Sequence, residues 1–84
     1  MSSKEKRFEK LFRKPLRNNV PIEELAKVLD DYGFTWIKGN HHKFVHAKLD
    51  YHLSVPVKNG LVLACYIKNA YDAVCEVMEM DQQQ

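Results

Sequence analysis

Phe34-Thr35-Trp36-Ile37-Lys38-Gly39-Asn40-His41-His42-Lys43-Phe44-Val45-His46 reads as two strands meeting at a tight reversal. Aromatic and β-branched residues crowd both flanks, and such side chains suit a pleated, half-buried surface. Gly39-Asn40 supplies the turn, because both residue types tolerate backbone conformations that bulkier side chains resist. The predicted strands run from Phe34 to Lys38 and from Lys43 to Leu49. A third follows a turn near Asp50. There Tyr51, Leu53, Val55 and Val57 alternate with His52 and Ser54, the period of a strand with one buried face. Pro56 has no N–H for a ladder, which puts this strand at an edge or near its end.

Helical patterns flank the strands. Upstream, Ile22, Leu25, Ala26, Leu29 and Tyr32 recur on one side of a helix. Pro21 stands in the first turn, Glu23 and Glu24 suit the positive end of its dipole, and Gly33 ends it. Downstream, Asn59-Gly60 turns the chain, and Ile67, Ala70, Tyr71, Val74, Val77 and Met78 form the stripe of a helix from Ala64 to about Met80. Ahead of everything, Phe8, Leu11 and Phe12 mark a short helix within Lys4 to Lys14, stopped by Pro15. These three are core if the N-terminal arm folds back, and need a partner's cover otherwise.

The order implies a two-layer α+β domain: helix, three antiparallel strands, helix, with an extra short N-terminal helix. Both main helices carry one apolar stripe, so they share one face of the sheet and leave the other open. If Phe44 points inward, parity sends His41, Lys43 and Val45 outward, together with His52 and Ser54 on the next strand.

Residues 1–84 make one domain, with a basic helix or arm over 1–17 and a frayed tail over 81–84. A content of 45% hydrophobic and 29% charged residues is that of an ordinary soluble globule rather than a disordered chain. No apolar run approaches the roughly 18 residues of a membrane span, and the basic N-terminus lacks an apolar signal core. The expected location is the cytoplasm. Cys65 and Cys75 fit it. On one helix they stand about 15 Å apart, too far for a disulfide, and read as small buried hydrophobes.

A net charge of +2 does not itself argue for nucleic acid. Its distribution is more informative. Lys and Arg dominate the first 17 residues, acids dominate 18–33, lysines and all four histidines fill 34–69, and the C-terminal stretch is acidic again. Such separation steers an anionic partner, although a charged arm is as readily a solvated face.

The chemistry centres on His41. Neutral imidazole is the side chain best suited near physiological pH to take a proton from one oxygen and return it to another. Lys38, Lys43 and Lys58 are candidates to meet the negative charge of a phosphodiester. His42 reads as a neighbour in the turn, while His46 and His52 line the sheet. His41, His42 and His46 also invite a zinc reading, but no Cys or carboxylate completes a familiar ligand spacing. Trp36 and Phe34 are candidates to stack on bases, with at least one of them taken by the core.

The chain resembles the HicA toxins, the YcfA-like mRNA interferases of bacterial toxin–antitoxin systems. The likeness rests on Asn19-Val20-Pro21-Ile22-Glu23-Glu24-Leu25, Leu29, Gly33-Phe34, then Gly39-Asn40-His41-His42-Lys43-Phe44-Val45-His46, then Leu53-Ser54-Val55-Pro56-Val57-Lys58 and Tyr66-Ile67-Lys68-Asn69-Ala70. It covers about Lys4 to Val77, in order. It implies a fold like the double-stranded-RNA-binding domain, metal-independent cleavage of mRNA without a cofactor, and inhibition by a HicB-like antitoxin. It also places the essential histidine at His41 and a glycine at Gly39; Gly39, Asn40, Lys38, Lys43 and Lys58 are the expected RNA contacts. Two positions depart from the pattern: Asn40 replaces the usual serine, and Lys58 stands where a histidine often follows the proline.

Two other classes stay open: an RNA-binding module of the same fold without chemistry, and a protein-interaction domain docking an acidic partner on its open sheet face. Oligomeric state is expected to be monomeric.

Overall fold

Strand alternation settles which side of the sheet is buried. In the computed structural model, which describes residues 3–39 and 41–82, β2 (Thr35–Ile37), β3 (His42–Val45) and β4 (Leu53–Val55) form an antiparallel sheet in the order β2-β3-β4. Trp36 pairs with Phe44, and Phe44 with Leu53. Phe44, Leu53 and Val55 are buried, whereas Thr35, Ile37, Lys43 and Ser54 are exposed. The strands are shorter than their apolar runs, because after Val45 the chain leaves the ladder in a turn closed by Leu49 N–H to the His46 carbonyl.

Helices α2 (Ile22–Asp31) and α3 (Ala64–Gln82) cover the buried side. Leu25, Leu29, Ile67, Ala70 and Val74 are fully buried, the stripes that the 3.6-residue period marks out. The third helix, α1 (Ser3–Phe12), folds back onto both. Leu11 and Phe12 join the core, and Phe8 meets the rings of Phe12, Tyr32 and Tyr71 at 4.8, 5.5 and 5.9 Å. The arm is therefore part of the domain. Its basic side chains are partly spent within it: Arg7 grips Asp31 through two bonds of 2.7 and 2.8 Å, and Arg17 reaches Glu24 at 2.7 Å. The hydrogen bonds from Arg7 hold the Asp31 carboxyl below its ordinary range.

Two elements have no counterpart in the sequence reading. Val20–Pro21 (β1) pairs with Leu61–Val62 (β5) in a second, two-stranded sheet. Pro21 is thus the residue before α2, and the helix begins at Ile22. Proline offers no side-chain cap, and the Ile22 N–H, which has no partner within the helix, is met instead by the Gly60 carbonyl at 2.9 Å. Asn18 Oδ1 likewise accepts the Ala64 N–H at 3.0 Å, tying the start of α3 to the same corner. Asn59 and Gly60 both have positive φ, 55° and 77°, and Lys58 and Leu61 exchange two backbone bonds around them. That is the two-residue hairpin turn which Asn-Gly favours.

Gly33 ends α2 as predicted. With φ at 91°, it lets Phe34 N–H reach the Leu29 carbonyl and its own N–H reach that of Asp30, the paired closure of a Schellman motif. At the other terminus α3 continues through Gln82 rather than fraying at Asp81; Gln83 and Gln84 lie outside the described residues. The cysteines differ from expectation as well. Both sit on α3, but Cys65 is exposed and Cys75 half-buried, because neither falls on the apolar stripe. No described helix is long and apolar enough to cross a membrane.

Candidate nucleic-acid interface

The β2–β3 hairpin carries most of the residues singled out by the sequence. Its register pairs Ile37 with Lys43, and β3 in turn pairs Lys43 with Ser54. Lys43 therefore stands in the middle of the open sheet face, flanked by an exposed Ile37 and an exposed Ser54. His41 precedes β3 at the tip of the hairpin and is exposed. Asn40 lies outside the described residues. His52 is also exposed but precedes β4, where it lines a groove of about 320 Å³ with Tyr51, Ser54, Tyr66, Asn69 and Asp72. Of the polar side chains that parity gathers on the open face, the ladder itself makes neighbours of Lys43 and Ser54.

Lys38 behaves differently. Its ammonium lies 4.4 Å from the centre of the Trp36 ring, a cation–π contact on the helix-covered side of the hairpin. Lys38 and Lys43 thus serve opposite faces of one ribbon. Lys58 sits on the β4–β5 turn and is exposed. Because β3 starts at His42 and β4 ends at its partner Val55, the segment from Pro56 to Lys58 leaves the sheet at the end where the hairpin tip lies. His41 and Lys58 share that end of the fold, with no hydrogen bond between them among the described residues.

Gly39 has an ordinary negative or extended backbone, and a Cβ there would approach nothing closer than the His41 carbonyl at 3.8 Å. The conformational demand predicted for it is absent at this position. Gly33 carries that demand instead.

The remaining histidines are held. His42 is half-buried and accepts the indole N–H of Trp36 on Nδ1 at 3.0 Å, with the two rings 5.6 Å apart. It is a built element of the hairpin rather than a solvated neighbour. His46 accepts the Lys48 N–H on Nδ1 at 3.0 Å, so its hydrogen resides on Nε2, which donates to the Tyr32 carbonyl at 3.1 Å. Its ring also packs edge-on against Phe34. With His46 and His42 tied in this way, the histidine cluster does not converge; no three His, Cys, Asp or Glu side chains gather among the described residues.

Phe34 is buried, so base stacking is not open to it. Trp36 stacks over Phe44 at 6.0 Å with an 18° tilt, and the Lys38 ammonium also lies over its ring. The Trp36–His42 pair escaped sequence reasoning, although the signal was there. In a hairpin whose register opposes 36 and 44, residues 36 and 42 are diagonal neighbours on one face. A donor-only indole and an imidazole at those positions have reason to bond.

On the opposite flank Tyr51 donates to Glu76 at 2.6 Å, joining the β3–β4 connection to α3. That bond, with some burial and the nearby Glu76, Asp50 and Asp72 charges, pushes the phenol up to about 12. Protein-family models, curated proteins and solved structures contain no match to this chain.

Proposed function

We propose that this protein is a HicA-type toxin: an endoribonuclease that cuts mRNA without metal and is silenced by a HicB-like antitoxin. The observation that carries the reading is the exposed imidazole of His41 at the tip of the β2–β3 hairpin, at the end of a sheet whose open face presents Lys43. The arrangement of α2, three antiparallel strands and α3, with both helices on one side, also suits a fold like the double-stranded-RNA-binding domain. The resemblance of the Gly39-Asn40-His41-His42 segment to that family adds support from the sequence.

In the proposed reaction a ribose 2′-oxygen attacks its own phosphorus. His41 takes the proton from the 2′-hydroxyl, the bond from phosphorus to the 5′-oxygen breaks, and the departing oxygen receives a proton. The products are a 2′,3′-cyclic phosphate and a free 5′-hydroxyl. Such acid–base help contributes typically about 10²–10⁴-fold. Lys43, and Lys58 at the same end of the sheet, supply positive charge to the phosphate. DNA lacks the nucleophile and is not cut.

A second reading is an RNA-binding module of this fold without chemistry. It is favoured by the position of Lys38, which lies on Trp36 rather than beside Lys43. Expression of the intact chain beside His41→Ala separates the two. Growth arrest and RNA breakdown that vanish in the variant support the nuclease, and cleavage must survive excess chelator. RNA affinity with no cleavage in either form supports the module and overturns the nuclease.

A further inference from the structure

Trp36 is a residue to which the proposed chemistry assigns nothing, yet it makes the most specific contact in the hairpin. Its ring lies on Phe44, which is 1% exposed and anchored in the core. From that base it directs its N–H at His42 Nδ1 across 3.0 Å. Indole nitrogen is a donor only. The acceptor must therefore be a bare ring nitrogen, and a neutral His42 carries its hydrogen on Nε2. That nitrogen has no hydrogen-bond partner among the described residues. Lys38, lying over the same indole, places a cation against the unit on its other side.

We propose that Trp36 is a positioning residue that fixes the tautomer of His42, so that His42 Nε2–H serves as a hydrogen-bond donor to a non-bridging oxygen of an RNA phosphate seated at the hairpin tip, approached from the side of the ribbon opposite Lys43. This rests on the nuclease reading above and divides labour between adjacent imidazoles. His41, exposed at the tip, exchanges protons. His42, immobilised by the indole, does not accept one at Nδ1 while the bond stands, and donates from Nε2 instead. A fixed donor needs no reorganisation as charge builds on the phosphate, which is why oriented donors outperform mobile ones. The same device, a partner on one ring nitrogen setting the hydrogen on the other, is general for histidines in working sites.

The test uses the full chain, with Trp36→Phe as the main variant, since phenylalanine keeps a ring over Phe44 and removes the N–H. Nitrogen NMR of the His42 ring in the free protein reads the tautomer directly. The wild type should show hydrogen on Nε2, and Trp36→Phe a mixture of both forms. Cleavage of a model RNA should fall roughly tenfold in Trp36→Phe, the weight of one orienting hydrogen bond, with RNA affinity little changed. His42→Ala should lose more, and adding Trp36→Phe to it should cost nothing further. A tautomer that does not respond to Trp36→Phe overturns the proposal, as do losses that multiply in the double variant. If Trp36→Phe unfolds, Trp36→Leu, which likewise has no polar hydrogen, supplies the tautomer comparison. A wild type that cuts no RNA defeats the nuclease reading and His42's phosphate role with it, while the NMR result still decides the link between Trp36 and His42.

Discussion

His46 occupies the space that a side chain on residue 33 would need: its Nε2 lies 3.0 Å from the position of a Cβ built on Gly33. The same nitrogen donates to the Tyr32 carbonyl. The end of β3 is thereby latched to the end of α2 through a residue with no side chain, and the hairpin's direction relative to the helix layer is set there.

Gly33→Ala should therefore be costly. It places a Cβ against the imidazole and forces an L-residue to φ of 91°, which by itself costs about 1–2 kcal/mol. Gly39→Ala should lie within about 0.5 kcal/mol of the parent, since its backbone is ordinary and the nearest obstacle is 3.8 Å away. Urea unfolding of both variants gives the comparison; equal midpoints would contradict it.

Replacing His41 by alanine should reduce RNA cleavage by about 10²–10⁴-fold while leaving the unfolding midpoint unchanged, because the ring is exposed. Lys43→Ala should act on binding instead. Its ammonium stands on the open sheet face, and removing one phosphate contact lowers the slope of log affinity against log salt by about 1. A salt titration of RNA binding checks this, and an unchanged slope would remove Lys43 from the interface.

Tyr51 gives a pH signature. Its phenol is held neutral in the folded protein, up to about 12, by donation to Glu76, against about 10 in the unfolded chain. The bond's contribution to stability is complete below about pH 10 and is lost as pH rises through about 12. Ultraviolet titration of phenolate should show an ionisation near 12 that is lost in Tyr51→Phe, while the raised ionisations of Tyr32 and Tyr71 remain. Glu76→Gln should bring that ionisation earlier, by removing both the acceptor's charge and its repulsion of the phenolate.

Leu11 tests whether α1 belongs to the domain. It is 1% exposed, and truncation to alanine should cost about 2–5 kcal/mol, as for any tightly packed leucine. Lys6→Ala on the exposed side of the same helix should cost little. Were the two equal, the arm would not be docked in solution.

The helices and the hairpin were legible because each repeats a signal over several residues. Ile22, Leu25 and Leu29 show a full helical period, Leu53 and Val55 alternate with Ser54, and Gly33 and Asn59-Gly60 mark their turns by residue type. The β1–β5 pair was not legible. Two residues, Val20 and Pro21, cannot display a period, and their partners at Leu61 and Val62 are distant in the chain. At the candidate site the sequence located the imidazoles and lysines but not their directions. Only the register shows that Lys38 and Lys43 face opposite ways, and only the tertiary packing shows that His46 belongs to Gly33. For the arm, the sequence left an anionic partner and a solvated face equally open, and it did not show that Arg7 and Arg17 are paired with Asp31 and Glu24 of α2.

The docking of α1 also orders events during synthesis. Phe8 and Phe12 find Tyr71 on α3, near the opposite end of the chain. α1 is therefore made well before the α3 ring that helps to shield it from water. Until α3 emerges, the edge of α1 that meets Tyr71 stays uncovered, so the nascent protein is most vulnerable to clumping and to proteases in that interval.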